Sequence, residues 1–117
     1  MHEFSTCQTL LKIILQELDK VKNKPVRLKK ARVLAGLYYG LMPASLKAAY
    51  KVLSKDTPAE GSTLLVKTVP LKLRCHQCGW QGATRAICFF CPKCGAGNLE
   101  ITGGKELYLE SIEVESA

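Results

Sequence analysis

Four cysteines constrain this chain more than any other feature: Cys75-His76-Gln77-Cys78-Gly79 and Cys91-Pro92-Lys93-Cys94-Gly95, with twelve residues between Cys78 and Cys91. Each Cys-x-x-Cys turn sets two sulfurs on one side of a tight reversal. The glycine after it lets the chain curl so that amide N–H groups turn toward the thiolates. Two such knuckles make a four-thiolate set, which suits tetrahedral Zn(II) and leaves no position open for a substrate. A closed set of this kind is a structural staple rather than a catalytic or transported metal. Cys88-Phe89-Phe90-Cys91 is another Cys-x-x-Cys in the same stretch. Pro92 and Gly95 favour Cys91 with Cys94 as the knuckle, which leaves Cys88 as a spare or packed thiol. His76 sits inside a knuckle, where side chains usually point away from the metal. A module of about 25 residues buries too little to fold alone, so metal binding must fold it. Trp80, Phe89 and Phe90 are expected to cover its small apolar interior.

The whole chain, at 117 residues, suits one domain carrying such a module. No apolar run approaches the roughly 20 residues of a membrane span. His2 and Glu3 stand where a secretory signal would carry a basic start. A cytoplasmic protein with no membrane association is expected, and in a reducing compartment paired cysteines are metal thiolates rather than disulfides. The formal net charge is +7, which a zinc dication held by four thiolates lowers to about +5. The excess is local: Lys20, Lys22, Lys24, Arg27, Lys29, Lys30 and Arg32 crowd one stretch, while Glu106, Glu110, Glu113 and Glu115 make the C-terminal end acidic. Strands from these two segments can pair their opposite charges, so the run reads as a solvated face in preference to a nucleic-acid footprint.

Apolar residues at Phe4, Cys7, Leu11, Ile14, Leu18 and Val21, widened by Leu10 and Leu15, step by three and four and predict an amphipathic helix. Ser5 with Gln8 offers a capping box, and Asn23-Lys24-Pro25 ends the helix. Cys7 lies on the apolar stripe as a small core residue. From Val26 to Ala35 the pattern alternates, with a change of parity around Lys29-Lys30 that marks a bulge or a later strand start. Gly36-Leu37-Tyr38-Tyr39-Gly40 makes a turn, and Pro43 opens a second helix with Leu46, Ala49, Tyr50 and Leu53 on its apolar face. The three tyrosines are expected to pack rather than to stack on bases. Ser62 to Arg74 reads as one long strand running into Cys75, and Asn98–Thr102, Gly103-Gly104 and Lys105–Val114 read as a hairpin. The result is an α+β protein: a base of two helices and a roughly three-stranded sheet (1–74 plus 105–117), with an inserted four-cysteine zinc-ribbon domain (75–104).

A different chemistry is available at Met1-His2-Glu3. A histidine beside a free amino terminus can close fused chelate rings through the α-amine, deprotonated backbone amides and its imidazole. Such an all-nitrogen planar set suits Ni(II) or Cu(II) and is poor for tetrahedral Zn(II). At a helix start the first amides have no intrahelical partner, so deprotonating two of them breaks no helical hydrogen bond. By itself an N-terminal histidine is usually a solvated bystander.

Taken together and in order, Met1-His2-Glu3-Phe4-Ser5, Gly36-x-x-x-Gly40-x-x-Pro43 with Leu46, Thr57-Pro58-x-Glu60-Gly61, the two knuckles, and Leu107-x-x-x-Ser111-Ile112-Glu113-Val114 resemble the HypA family of hydrogenase nickel-incorporation proteins. The likeness covers nearly the whole chain. It implies a nickel metallochaperone, not an enzyme, that acts with a HypB-type GTPase to load the large subunit of [NiFe]-hydrogenase and, in some organisms, urease. By position it implies nickel at Met1, His2 and Glu3, and structural zinc at Cys75, Cys78, Cys91 and Cys94. Leu37-Tyr38-Tyr39 departs from the more polar Glu-Leu-Ser of many members. Two other classes of function compete: a zinc-ribbon nucleic-acid-binding protein, marked by salt-steep binding, and a thiol-disulfide oxidoreductase, which needs an unmetallated Cys-x-x-Cys. Long connecting arms are also compatible with a homodimer formed by domain exchange.

Overall fold

The computed structural model describes residues 2–21, 26–86 and 88–116, with the side chain of His2 excepted. The helix stop at Asn23-Lys24-Pro25 and the terminal Met1 lie outside the described residues. The chain divides into two compact units, one formed by Met1–Leu34, Leu41–Lys67 and Tyr108–Ala117, the other by Ala35–Gly40 and Thr68–Leu107.

The first unit holds most of the apolar core. Helix α1 (His2–Asp19) buries Cys7, Leu10, Leu11, Ile14 and Leu18, the face that its three-and-four spacing dictates. Ser5 lies inside this helix, so the expected capping box does not form; Ser5 instead lends its carbonyl to the Thr9 hydroxyl at 3.3 Å. Strand β1 (Val26–Gly36) buries Leu28 and then Ala31 and Val33. The change of parity expected at Lys29-Lys30 is present, and it turns Lys30 half-inward.

Helix α2 (Pro43–Leu53) begins on Pro43, whose missing N–H costs nothing in a first turn. It packs on α1 and buries Leu46 and Tyr50. The Tyr50 hydroxyl lies 2.6 Å from Ser62 Oγ, which also donates to the Ala59 carbonyl, so the buried phenol is satisfied. Strand β2 (Thr63–Val69) and the final strand β6 (Leu107–Ser116) flank β1 in a sheet of order β2-β1-β6. That neighbourhood joins the basic and acidic segments: Arg27 meets Glu115 at 2.7 Å and Lys29 meets Glu113 at 3.8 Å.

In the second unit β3 (Leu71–Cys75) is the centre of a sheet of order β4-β3-β5, with β4 (Gln81–Thr84) and β5 (Leu99–Gly103) antiparallel to it. Leu71, Leu73 and Cys75 point inward while Lys72 and Arg74 are exposed, the strict alternation of a half-buried strand.

Two sequence expectations are corrected here. The stretch from Ser62 to Arg74 is two strands, because Pro70 has no N–H to donate to a ladder, and each strand joins a different sheet. The expected hairpin around Gly103-Gly104 is also absent: β5 pairs with β3, and β6 with β1. Gly104 takes φ +95°, and a side chain there would strike the Pro70 carbonyl and Leu71 Cα. Its own carbonyl accepts the Tyr38 N–H at 3.0 Å. The glycines let two backbones cross closely rather than reverse.

Candidate metal centre

The two knuckles repeat the same backbone pattern. Gly79 N–H donates to the Cys75 carbonyl at 3.0 Å, and Gly95 N–H to the Cys91 carbonyl at 2.8 Å. Cys75 N–H reaches the Trp80 carbonyl at 2.7 Å, and Cys91 N–H the Ala96 carbonyl at 2.8 Å. Gly79 and Gly95 adopt φ +81° and +78°, values at which a Cβ would clash with its own backbone. Each turn therefore closes on itself, and β3 delivers the first of them straight off a sheet.

Cys75, Cys78, Cys91 and Cys94 bring their sulfurs within 4.8 Å of one another, and they are the one such group among the described residues. The Sγ atoms of Cys75 and Cys94 are 3.7 Å apart, and those of Cys78 and Cys91 3.6 Å. A tetrahedron with metal–sulfur bonds of about 2.3 Å has edges of about 3.8 Å, so the set fits a zinc-sized ion. The amides of Lys93 and Cys94 both lie 3.4 Å from the Cys91 sulfur.

The protonation chemistry follows from these contacts. The Cys78 amide, together with that of Gln77, donates to the Cys75 sulfur and outweighs burial, holding that thiol near 6. Burial alone would raise Cys91, yet the Cys94 and Lys93 amides bring it below its ordinary value. At Cys94 the Ala96 amide favours the thiolate, but burial and three neighbouring sulfurs push it up to about 12. Without a cation, like charges at this separation cannot all be present. A bound dication removes that conflict and would supply fixed structure rather than reactivity.

Cys88 is outside the group; its thiol donates to the Phe90 carbonyl at 2.9 Å. His76 is outside it too, with Nε2 3.0 Å from Glu100. The aromatic cover expected for the module is only partly present. Trp80 is half-buried and lies over Gly82, whereas Phe89 and Phe90 are 73% and 65% exposed. Tyr38 and Tyr39 are likewise exposed, meeting edge to face at 5.4 Å, while Tyr50 packs as expected. At the other candidate site, α1 starts at His2, and Met1 and the His2 side chain lie outside the described residues. The Glu3 carboxylate accepts the Met42 N–H at 3.2 Å. Sequence reasoning did not find this link, since nothing local to Met42 signals it.

These features define a small α+β protein with a four-thiolate metal knuckle. Residues 1–114 match a family described as hydrogenase/urease nickel incorporation, metallochaperone, hypA. A hydrogenase maturation factor HypA of Caldanaerobacter subterraneus subsp. tengcongensis is 40% identical over 116 residues, covering 98% of this chain and all of that one. Its counterpart in Dehalococcoides mccartyi strain 195 is 35% identical over 115 residues, covering 98% and 95%. The solution structure of the Ni metallochaperone HypA from Helicobacter pylori shares the fold at TM-score 0.61 and 22% identity, covering 98% of both chains. The chain belongs to the HypA family of nickel-incorporation metallochaperones, maturation factors rather than catalysts. Among the described residues no helix is long and apolar enough to cross a membrane.

Proposed function

We propose that this chain binds Ni(II) at its amino terminus and delivers it in the cytoplasm for maturation of [NiFe]-hydrogenase or urease. Met1, His2 and Glu3 supply the nickel ligands through the α-amine, the amides of residues 2 and 3, and the His2 ring. The observation that carries this reading is α1 beginning at His2. The amides of residues 2 and 3 then sit in a first turn, where no intrahelical carbonyl competes for them. The donor set prefers square-planar Ni(II) over zinc, and four cysteine thiolates prefer zinc. The two metals thus stay apart, zinc held as a staple by Cys75, Cys78, Cys91 and Cys94, nickel held at a chain end from which it can be passed on. We assign nickel handling to a domain of 1–74 plus 105–117 and the zinc ribbon to 75–104. A HypB-type GTPase and the hydrogenase large subunit are the partners this reading implies.

The test is a nickel titration, read by visible absorbance, on the native chain, on His2→Ala, and on a version with one residue added before Met1. The addition moves His2 out of register with the amine. Loss of the planar signature in both altered chains, with zinc content unchanged, is expected. A spectrum and affinity equal to those of the native chain would overturn the site. Because the ligands must shed protons to bind, nickel affinity should fall as pH falls.

A further inference from the structure

A cavity of about 600 Å³ in the first unit is a trough along α2 that the nickel and zinc readings leave unused. Lys47, Lys51 and Lys55 line it together with Glu60, Ser62 and Thr63. A second cavity of about 330 Å³ shares Glu60, Gly61 and Thr63 with it and extends it to Lys30 on β1, beside Lys29 and the paired Arg27 and Glu115.

The trough gathers lysines along one helix. Four cations elsewhere among the described residues find carboxylates: Lys20 with Glu17, Arg27 with Glu115, Lys29 with Glu113, Arg74 with Glu100. Among the described residues Lys30, Lys47, Lys51 and Lys55 form no ion pair. Glu60 is the lone carboxylate facing the α2 lysines, and its Oε1 is 3.3 Å from the Asp56 N–H. Lys47 and Lys51 stand one turn apart on the same helix face, a like-charge spacing that disfavours the helix unless an anion lies between.

We propose that this trough docks an extended, carboxylate-rich segment of a protein partner. Lysines one turn apart are about 6 Å apart along the helix axis, and side chains on one face of an extended segment recur about every 6.8 Å. Glutamates or aspartates at alternate positions therefore match the row. The aliphatic stems of the lysines, with Tyr50 and Leu64 beneath, form the floor. Nucleic acid fits less well. The arginine of the extension, Arg27, is held by Glu115, so the cations left to bind are lysines, without the forks that grip phosphate. The one ring in the trough, Tyr50, is 2% exposed and offers no face for a base.

The probe is a short labelled peptide alternating glutamate and serine, titrated by fluorescence anisotropy with the full metal-loaded chain. Binding that weakens with added salt is expected. The triple variant Lys47→Gln, Lys51→Gln, Lys55→Gln should weaken it about tenfold or more. Lys12→Gln, Lys20→Gln, Lys67→Gln, which removes the same charge elsewhere on this unit, should change it less than about twofold. All six lysines are exposed, so circular dichroism should show both variants folded. Equal losses in the two variants, no loss in the first, or tighter binding of a thymidylate strand of equal charge would each overturn the proposal. Nickel titration of the same variants should be unchanged, since this surface does not depend on the nickel reading.

Discussion

At the scale of single residues, space and proton chemistry separate positions that look alike in sequence. Gly36 and Gly40 bracket the same turn, yet a Cβ at Gly36 would strike the Gly104 carbonyl and the Glu106 amide, while at Gly40 it would meet nothing. Gly36→Ala should lower unfolding stability by about 1–3 kcal/mol through overpacking against backbone that cannot yield. At Gly40, φ +62° makes the cost conformational, so Asn there should be tolerated better than Ala. Urea denaturation of Gly36→Ala, Gly40→Ala and Gly40→Asn distinguishes the two mechanisms. Cys7 lies fully buried in α1, and burial raises its thiol from 9.0 to about 11. The folded state therefore prefers the neutral thiol. Its contribution is intact below pH 9.0 and is lost as pH rises through about 11. Thermal melts across that range should show a shallower alkaline decline in Cys7→Ala than in the native chain, from a lower starting stability.

Elements are joined by fewer interactions than their number suggests. Across β1 and β6, Arg27 holds the Glu115 carboxyl below its ordinary 4.5. The stability this pair adds is present above that value and disappears as pH falls through the lower folded one. Both side chains are largely solvated, so the effect is small and screened by salt. Arg27→Ala should leave neutral-pH stability nearly unchanged and slightly flatten the acid limb of a pH melt. The knuckles behave differently. Cys91 is 3% exposed and sits at the meeting of both turns. Cys91→Ala should remove metal stoichiometry and the folded signals of β3, β4 and β5 in an NMR spectrum, while those of α1 and α2 persist.

For the molecule as a whole, the two units depend on different forces. The first buries Cys7, Leu10, Leu11, Ile14, Leu18, Leu28, Val33, Leu46, Tyr50 and Leu64, enough apolar surface to hold two helices on a sheet. The second buries little besides Ala35, Leu71, Leu73 and two of its own cysteines. A structural zinc ion contributes about 10–16 kcal/mol to modules of this size. On the zinc reading proposed above, treatment with a chelator should unfold the second unit at a temperature where the first remains helical, and calorimetry should show one transition becoming two. A single transition that chelation leaves in place would contradict this division of labour.

The sequence by itself determined what depends on neighbours along the chain. The stripe from Cys7 to Leu18, the start of α2 at Pro43, the parity change near Lys30 and the self-closing Cys-x-x-Cys-Gly turns each involve residues a few positions apart, where backbone geometry leaves few choices. The four sulfurs that converge are those of the two Cys-x-x-Cys-Gly turns, with Pro92 and Gly95 separating Cys91–Cys94 from the equally spaced Cys88–Cys91. Only the tertiary structure decided what depends on distant backbones: that Pro70 divides one apolar run between two sheets, that Gly104 crosses Leu71 instead of closing a hairpin, and that Phe89 and Phe90 stay exposed. The Glu3 carboxylate on the Met42 amide and the unpaired lysines of the α2 trough belong here too. The pairing of the basic β1 with the acidic β6 was legible from their opposite charges, but these other meetings are set by packing across large sequence separations, of which local pattern carries no record.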